Sequence, residues 1–472
     1  MKLNVSNGAN VNYLAKIVCV DKFTPHPNSE YTKLKVAHID GFNLIVSTDM
    51  TEGIYVYFPA MCQINPELLS YLSLYRNKEK NRNVEKSGFF GDNGRVKAIR
   101  LGGALSEGFI IPIKEFQNWI VDSVNVELND VEIGTEFDEI EHNGKVFWVN
   151  RKYVVKKKNK SSIKNPGAYR NNKLKRFDML IDGQFKFHYD TVLIRREPWI
   201  IQPTDLISIT SKWHGTSLIA ARVLCKHPRK KWDKIITWLY KKLGGTLPRY
   251  TDVASYPEYD YIWSSRSVIK NNNINPKTGE GFYEVDVWKH GFEYLKPYLE
   301  KGMTIYAEIV GYLPNGAYIQ KEYDYGCIPP ETPDDYHEGT HFKVAVYRIT
   351  QTNVDGKVHE YSAREVQQFC ESRGIKAVNQ FYYGTAYNLY PNIVNDEDYG
   401  ENFINELAND KEFFMEMNSP DCVNKVPHEG IVIKKEDRIA HAWKLKTFAF
   451  MNREQKELDK GIENVEDNSW NF

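Results

Sequence analysis

Lys212 is the residue whose setting most readily does chemistry. It stands in Ser211-Lys212-Trp213-His214-Gly215-Thr216-Ser217, directly after the alternating, β-branched run 205–210, which reads as a strand. A lysine where a strand breaks is an amine nucleophile on a rigid edge. A glycine three residues later lets the backbone come close to a substrate, and nearby hydroxyls suit an anionic one. Alone, K-x-x-G is a pattern that arises often by chance, and a surface lysine before a turn is its commoner meaning. The downstream chain changes that weighting. In order come Arg266 in Trp263-Ser-Ser-Arg266, Glu308 inside the apolar run 304–311, and Phe342 opening the run 342–347. Glu429 then stands ahead of Gly430-Ile-Val-Ile-Lys434, and Lys444 and Lys446 flank Leu445.

A bond between a lysine and phosphorus needs the amine to lose its proton, although a free lysine titrates at about 10.4. Desolvation and neighbouring cations both push that value down. Lys444 and Lys446 alternate with Leu445, so on a strand they face one side, where they would act on Lys212 and also neutralise a phosphate. Glu429 suits a divalent metal that offsets charge on a transferring phosphorus. Glu308 suits ribose hydroxyls, and Arg266 is a fork donor for phosphate, with Arg222 as the nearer alternative. Phe342 would stack on a base, with Tyr347 equally eligible. Each also has a plain structural meaning: an acid paired with a lysine, a solvated K-x-K face, an aromatic in a core. Six such residues in this order form one chemical set.

The elements that must position them follow from the pattern around them. At 472 residues the chain has room for two or three domains, each with its own core. Its formal net charge of zero removes any global polyanion signature, so nucleic-acid contact must come from local patches. The six cysteines are scattered without a C-x-x-C pair, which argues against a zinc site or disulfide framework and for a reducing compartment. No stretch approaches a membrane span. A cytoplasmic protein without a membrane partner, and a monomer, is expected. Lys-, Asn- and Tyr-rich usage points to an AT-rich genome such as a viral one.

Residues 1–150 read as short strands at 13–20, 33–39, 42–46, 54–58, 96–101 and 108–113, a spacing that predicts an OB-like β-barrel. The loop 86–95 carries Phe89 and Phe90, suited either to stacking on nucleotides or to plugging a hairpin tip. Residues 151–180 hold eleven Lys/Arg against one Asp and read as a basic linker able to track phosphates. Strands and helices then alternate over 181–452, including a helix at 230–243 stopped by Gly244-Gly245 and an acidic helical segment at 396–417. A polar tail is expected over 453–472.

The order K-x-x-G, S-R, an acid in an apolar strand, an aromatic strand, E-G-hydrophobic-V-hydrophobic-K and K-x-K resembles the covalent nucleotidyltransferase superfamily of polynucleotide ligases and RNA-capping enzymes. Within it, Lys212-Trp-His214-Gly215-Thr216-Ser217 is similar to the K-x-H-G-T-[NS] form of RNA ligases. Pro25-His-Pro-Asn together with the stretch 94–108 resembles the front domain of the Deinococcus-type, nick-sealing RNA ligases. The resemblance implies an α+β fold: an N-terminal OB-like β-barrel, then a nucleotidyltransferase (ATP-grasp-like ligase) domain of antiparallel sheets and helices. It implies ATP with Mg2+ or Mn2+, and as partner an RNA or RNA-containing duplex with 3′-OH and 5′-phosphate ends. By matched motif, Lys212 is the nucleophile, His214 and Arg266 act around the phosphates, Gly215 and Glu308 belong to the nucleotide site, Phe342 meets adenine, Glu429 holds metal, and Lys444 and Lys446 meet the α-phosphate. The alternatives are a DNA ligase, a capping guanylyltransferase, or a non-catalytic RNA-binding protein of the same fold.

Overall fold

The computed structural model describes residues 1–128, 131–155, 179–270, 286–413 and 415–462. Most of the basic segment 151–180, lysines 156–158 included, and the last part of the tail lie outside them.

Two antiparallel-rich sheets carry the chemistry-bearing residues. The first has five strands in the order Val192–Leu193, Ala442–Lys446, Gly430–Lys435, Leu206–Ser211, Gln380–Thr385. Its three middle strands alternate. Ile207, Ile209, Ile431, Ile433, Trp443 and Leu445 point into a core shared with Phe403, Ile404 and Leu407 of the helix Tyr399–Asn409. The intervening side chains, among them Ser208, Thr210, Val432 and Lys444, turn to the other face and line a cavity.

The second sheet has six strands in the order Ile269–Lys270, Ser255–Ser264, Thr216–Pro228, Met303–Gly311, Phe342–Thr352, Val358–Glu360. Met303–Gly311 is buried along its whole length, as a central strand covered on both faces must be. Its odd-numbered residues Met303, Ile305, Ala307 and Ile309 pack on the helices Val287–Leu295 and Ala363–Glu371. Glu308 therefore faces the other way, towards the cavity. An acid in an apolar run is explained here by parity: the run serves two faces with different demands.

The expected N-terminal barrel does not form. The predicted strands are present as Ala15–Val20, Leu34–Ile39, Phe42–Ser47, Gly53–Pro59, Ala98–Leu101 and Ala104–Pro112. They stand, however, in a five-stranded and a three-stranded sheet, beside a second three-stranded sheet and a two-stranded one, and no sheet closes on itself among the described residues. Closure is replaced by packing. Helix Ile113–Val124 sets Phe116, Trp119 and Ile120 against Ile17, Val56 and Phe58 of the five-stranded sheet. The loop aromatics divide: Phe90 is buried against Phe109, whereas Phe89 is exposed.

The tail expected from 453 begins as helix. Phe448–Asp459 is capped by the Thr447 hydroxyl, which accepts from Phe450 N–H and donates to His428 O. This helix ties the N-terminal part to the rest. Gln455 exchanges hydrogen bonds of 2.8 and 2.9 Å with the backbone of Ala98, and Arg95 donates to Gln455 O at 3.0 Å and to Asp459 at 2.6 Å. On the other side Arg195 donates to Gly41 O at 2.7 Å and lies 3.5 Å from the buried Glu107. Burial raises the Glu107 carboxyl's pKa even with Arg195 opposing it.

Candidate active site

Backbone register brings distant residues together. Leu206–Ser211 and Gly430–Lys435 are antiparallel with Ser211 opposite Ile431, so the chain leaving the first strand meets the chain entering the second. Lys212 N–H donates to Gly430 O at 2.9 Å, which sets Lys212 beside Glu429. Gly430 has φ +139°, and a Cβ there would sit 2.1 Å from Leu445 O, so this E-G step admits only glycine. The next strand places Lys446 opposite Gly430 and Lys444 opposite Val432. The short link 212–215 then crosses to the second sheet, where Ser217 stands opposite Glu308.

Gly215 is needed for a different reason. A Cβ on it would meet Ile309 O at 2.3 Å, while its own carbonyl accepts from Gln320 Nε2 at 2.9 Å. Backbone packs on backbone here. Gly215→Ala must push the link away from the strand, and a shift of about 1 Å in a reacting group costs about a hundredfold in rate. We expect folded but less heat-stable protein whose covalent nucleotide labelling falls by about that factor, read from initial rates on a denaturing gel.

Lys212 Nζ lies 2.6 Å from Glu429 Oε1, and His214 Nδ1 lies 3.4 Å from Oε2. Burial alone would raise the Glu429 carboxyl. The charges of Lys212, His214 and Lys446 outweigh that and hold it at about 2, far below its ordinary 4.5. Lys446 is itself gripped by Glu454 at 2.9 and 3.1 Å and lies 5.0 Å from the centre of the Phe450 ring. Burial opposes its charge, but Glu454 and Glu429 push its pKa upward, so it stays a fixed cation. His214 has little freedom: Tyr323 and Phe450 meet its ring edge-on at 4.8 and 5.0 Å. Tyr325 Oη accepts from His214 N–H at 2.9 Å and lies 3.2 Å from His214 O, while Trp213 stacks on the Tyr325 ring at 4.9 Å.

These groups open on a cavity of about 890 Å3 between the two sheets and the N-terminal part. Lys212, His214, Arg266, Glu308, Lys444 and Lys446 all line it, and Glu429 backs Lys212 and His214. Arg266 pairs with Asp190, which also accepts from Asn10 of the N-terminal part at 2.8 Å. Arg222 is directed elsewhere, stacked over Tyr261 and bonded to Leu299 O at 3.5 Å.

Phe342 is not at the cavity. It lies in the helix-backed core, 2% exposed and stacked on Tyr336 at 4.6 Å. Tyr347, five residues on, has the opposite parity, lines the cavity and lies 3.2 Å from the Ser217 hydroxyl. Sequence reasoning missed Tyr323, Tyr325 and Phe450 around His214, and Glu454 behind Lys446. It also missed Arg348, which reaches the cavity in a bidentate pair with the buried Glu360 at 2.8 and 2.9 Å. A spacing signal existed only for the alternating Tyr323-Asp-Tyr325.

The donor set can be tested against a divalent metal. Among the described residues no group of three or more His, Cys, Asp or Glu could hold one alone. Glu429 Oε2, however, is buried and has no close hydrogen-bond partner among the described residues, His214 Nδ1 standing 3.4 Å away. A hard cation that keeps waters and takes phosphate oxygens needs only one or two carboxylates from the protein. The residues fit a metal that arrives with phosphates, which Glu429 would hold.

No family model and no curated protein matches this sequence. Solved structures do. A Naegleria gruberi RNA ligase mutant with AMP and Mn is 14% identical, with 93% of this chain and 98% of that one covered and a TM-score of 0.50. A mutant of the same ligase with ATP and Mn is 14% identical at TM-score 0.49, covering 93% and 99%. The ligase with pyrophosphate is 15% identical at TM-score 0.47, covering 94% and 100%. The chain is similar to that ligase in fold, over nearly the whole length of both.

Proposed function

We propose that this chain is an ATP-dependent RNA ligase that joins a 3′-OH RNA end to a 5′-phosphate end, at nicks in duplexes, through a lysyl-AMP and an AMP-capped 5′ end. One observation carries the reading: an amine, Lys212, is seated on a buried carboxylate among the fixed cations of a nucleotide-sized cavity, in a fold like that of an RNA ligase. Support for ATP and a divalent metal comes from the neighbouring ligase structures with ATP, AMP and Mn. The nick-sealing assignment leans on the N-terminal signature, whose two halves meet where His26 Nε2 contacts Leu101 O at 3.0 Å. Six unpaired cysteines, four of them buried, support a reducing, cytoplasmic setting.

In this reading Lys212 Nζ attacks the α-phosphorus, an N–P bond forms, and the P–O bond to pyrophosphate breaks. Lys446 and Lys444 neutralise the non-bridging oxygens. AMP next passes to the 5′-phosphate and frees the lysine; the 3′-hydroxyl then displaces AMP. Lys212 first sheds its proton to solvent water; Glu429, whose carboxyl is held low chiefly by the Lys212 charge, pairs with the ammonium rather than serving as its base. Its contact instead favours the ammonium form, and a bound divalent cation would supply the positive charge that competes for this carboxylate. Glu308, which stands opposite Ser217 and lines the cavity, serves the ribose in this reading, and Tyr347 replaces Phe342 as the base-stacking aromatic.

The test is a denaturing-gel transfer from α-labelled ATP or GTP with magnesium or manganese, followed by nicked duplexes with RNA or DNA 3′-OH ends. ATP-only labelling and a preference for RNA 3′-OH ends are expected. GTP labelling would make the chain a capping enzyme, equal use of DNA ends a DNA ligase, and no label at all a binding protein.

A further inference from the structure

The long hairpin formed by Thr216–Pro228 and Ser255–Ser264 carries at its tip a helix, Lys231–Lys242, that the chemistry above does not use. Trp232, Ile235, Ile236, Leu239 and Leu243 recur at helical spacing and form one stripe. Such a stripe normally faces a core. Here every member is exposed: 76% for Trp232, 85% for Leu243 and between 45% and 64% for the others. The one buried residue of the helix is Thr237, which at about 100° per residue lies on the side away from the stripe. The apolar face is thus turned to solvent.

Charge identifies what could cover it. Lys230, Lys231, Lys234, Lys241 and Lys242 are all exposed against one acid, Asp233, in a chain of zero formal net charge. A second copy of the helix would bring like charges together, and a 12-residue stripe is small beside the roughly 800 Å2 per partner of a stable interface. An RNA backbone would use the lysines but leave Ile235, Ile236, Leu239 and Leu243 without contact. An anionic lipid surface uses both features: lysines among headgroups, and aliphatic and Trp side chains at the acyl boundary.

We propose that Lys231–Lys242 docks the protein on anionic membrane surfaces. No described helix is long and apolar enough to cross a membrane. The absence of a span, on which the expectation of no membrane partner rested, does not bear on a helix that lies in the interface. The proposal stands apart from the ligase reading, because the helix holds none of the residues around Lys212.

Flotation of the full chain with vesicles of phosphatidylcholine alone or with one third phosphatidylserine tests it. Binding to the mixed vesicles, weakened by salt, is expected. It should drop about tenfold or more in a Trp232→Glu/Ile236→Glu variant and in a Lys231→Gln/Lys234→Gln/Lys242→Gln variant, with nucleotide labelling unchanged in both. Binding that ignores either set of substitutions would overturn the proposal. So would absence of vesicle binding by the native chain; a concentration-dependent dimer, or single-stranded RNA affinity, that is lost in the first variant would then assign the stripe to a second copy or to RNA.

Discussion

Lys212→Ala and Lys212→Arg both reduce covalent nucleotide labelling to background, and only the first destabilises the protein. The two outcomes separate chemistry from structure. Arginine keeps a cation within reach of Glu429, 2.6 Å away in the native protein, but a guanidinium does not give up a proton to become a nucleophile. Alanine removes the cation as well and leaves a carboxylate that is 3% exposed beside His214 and Lys446. Breaking one side of a buried pair costs about 3 kcal/mol, visible as a lower denaturation midpoint at pH 7. Residual labelling in Lys212→Arg, mapped to another lysine by mass spectrometry, would remove Lys212 as the nucleophile. Lys446 is a poor understudy, because Glu454 holds its ammonium charged.

Much of this site was legible in the sequence because it is built from strands. Alternation announces a strand and assigns its two faces, which is why Lys444 and Lys446 were expected on one side and stand there. Alternation does not say which face meets the core. Phe342 and Tyr347 could be told apart as opposite, but only the helices packed against Phe342 decide that Tyr347 is the one at the cavity. The barrel failed on a similar point. Its strands were found, while closure depends on which distant strands pair, and that is set by packing of Phe116 and Trp119 on the sheet. Arg222 and Arg266 differ by the strand register that turns the first towards Tyr261. Glu454 was invisible for another reason: the polar composition around it reads as a tail, yet the Thr447 cap starts a helix that carries it back over Lys446.

Glu429→Gln is expected to lose labelling almost as fully as Lys212→Ala, and its stability loss should fade in acid. Glutamine preserves shape but removes the charge that offsets Lys212 and the open oxygen suited to a metal. At pH 7 the uncompensated ammonium costs about 3 kcal/mol. The pH dependence has a definite sign. A carboxyl whose pKa falls from 4.5 to about 2 on folding stabilises the native state fully above pH 4.5 and loses that contribution as the pH falls to 2. Wild type and Glu429→Gln should therefore differ at neutral pH and converge across this window. The double variant Lys212→Met/Glu429→Gln tests whether the pair acts as a unit, since it removes both charges and leaves neither buried alone. It should be more stable than the sum of its single variants by 1 kcal/mol or more, a coupling in the range of directly contacting residues; strict additivity would mean that the 2.6 Å contact does not govern the site. Raising manganese should restore labelling in neither single variant, because one lacks the nucleophile and the other the carboxylate that steadies it.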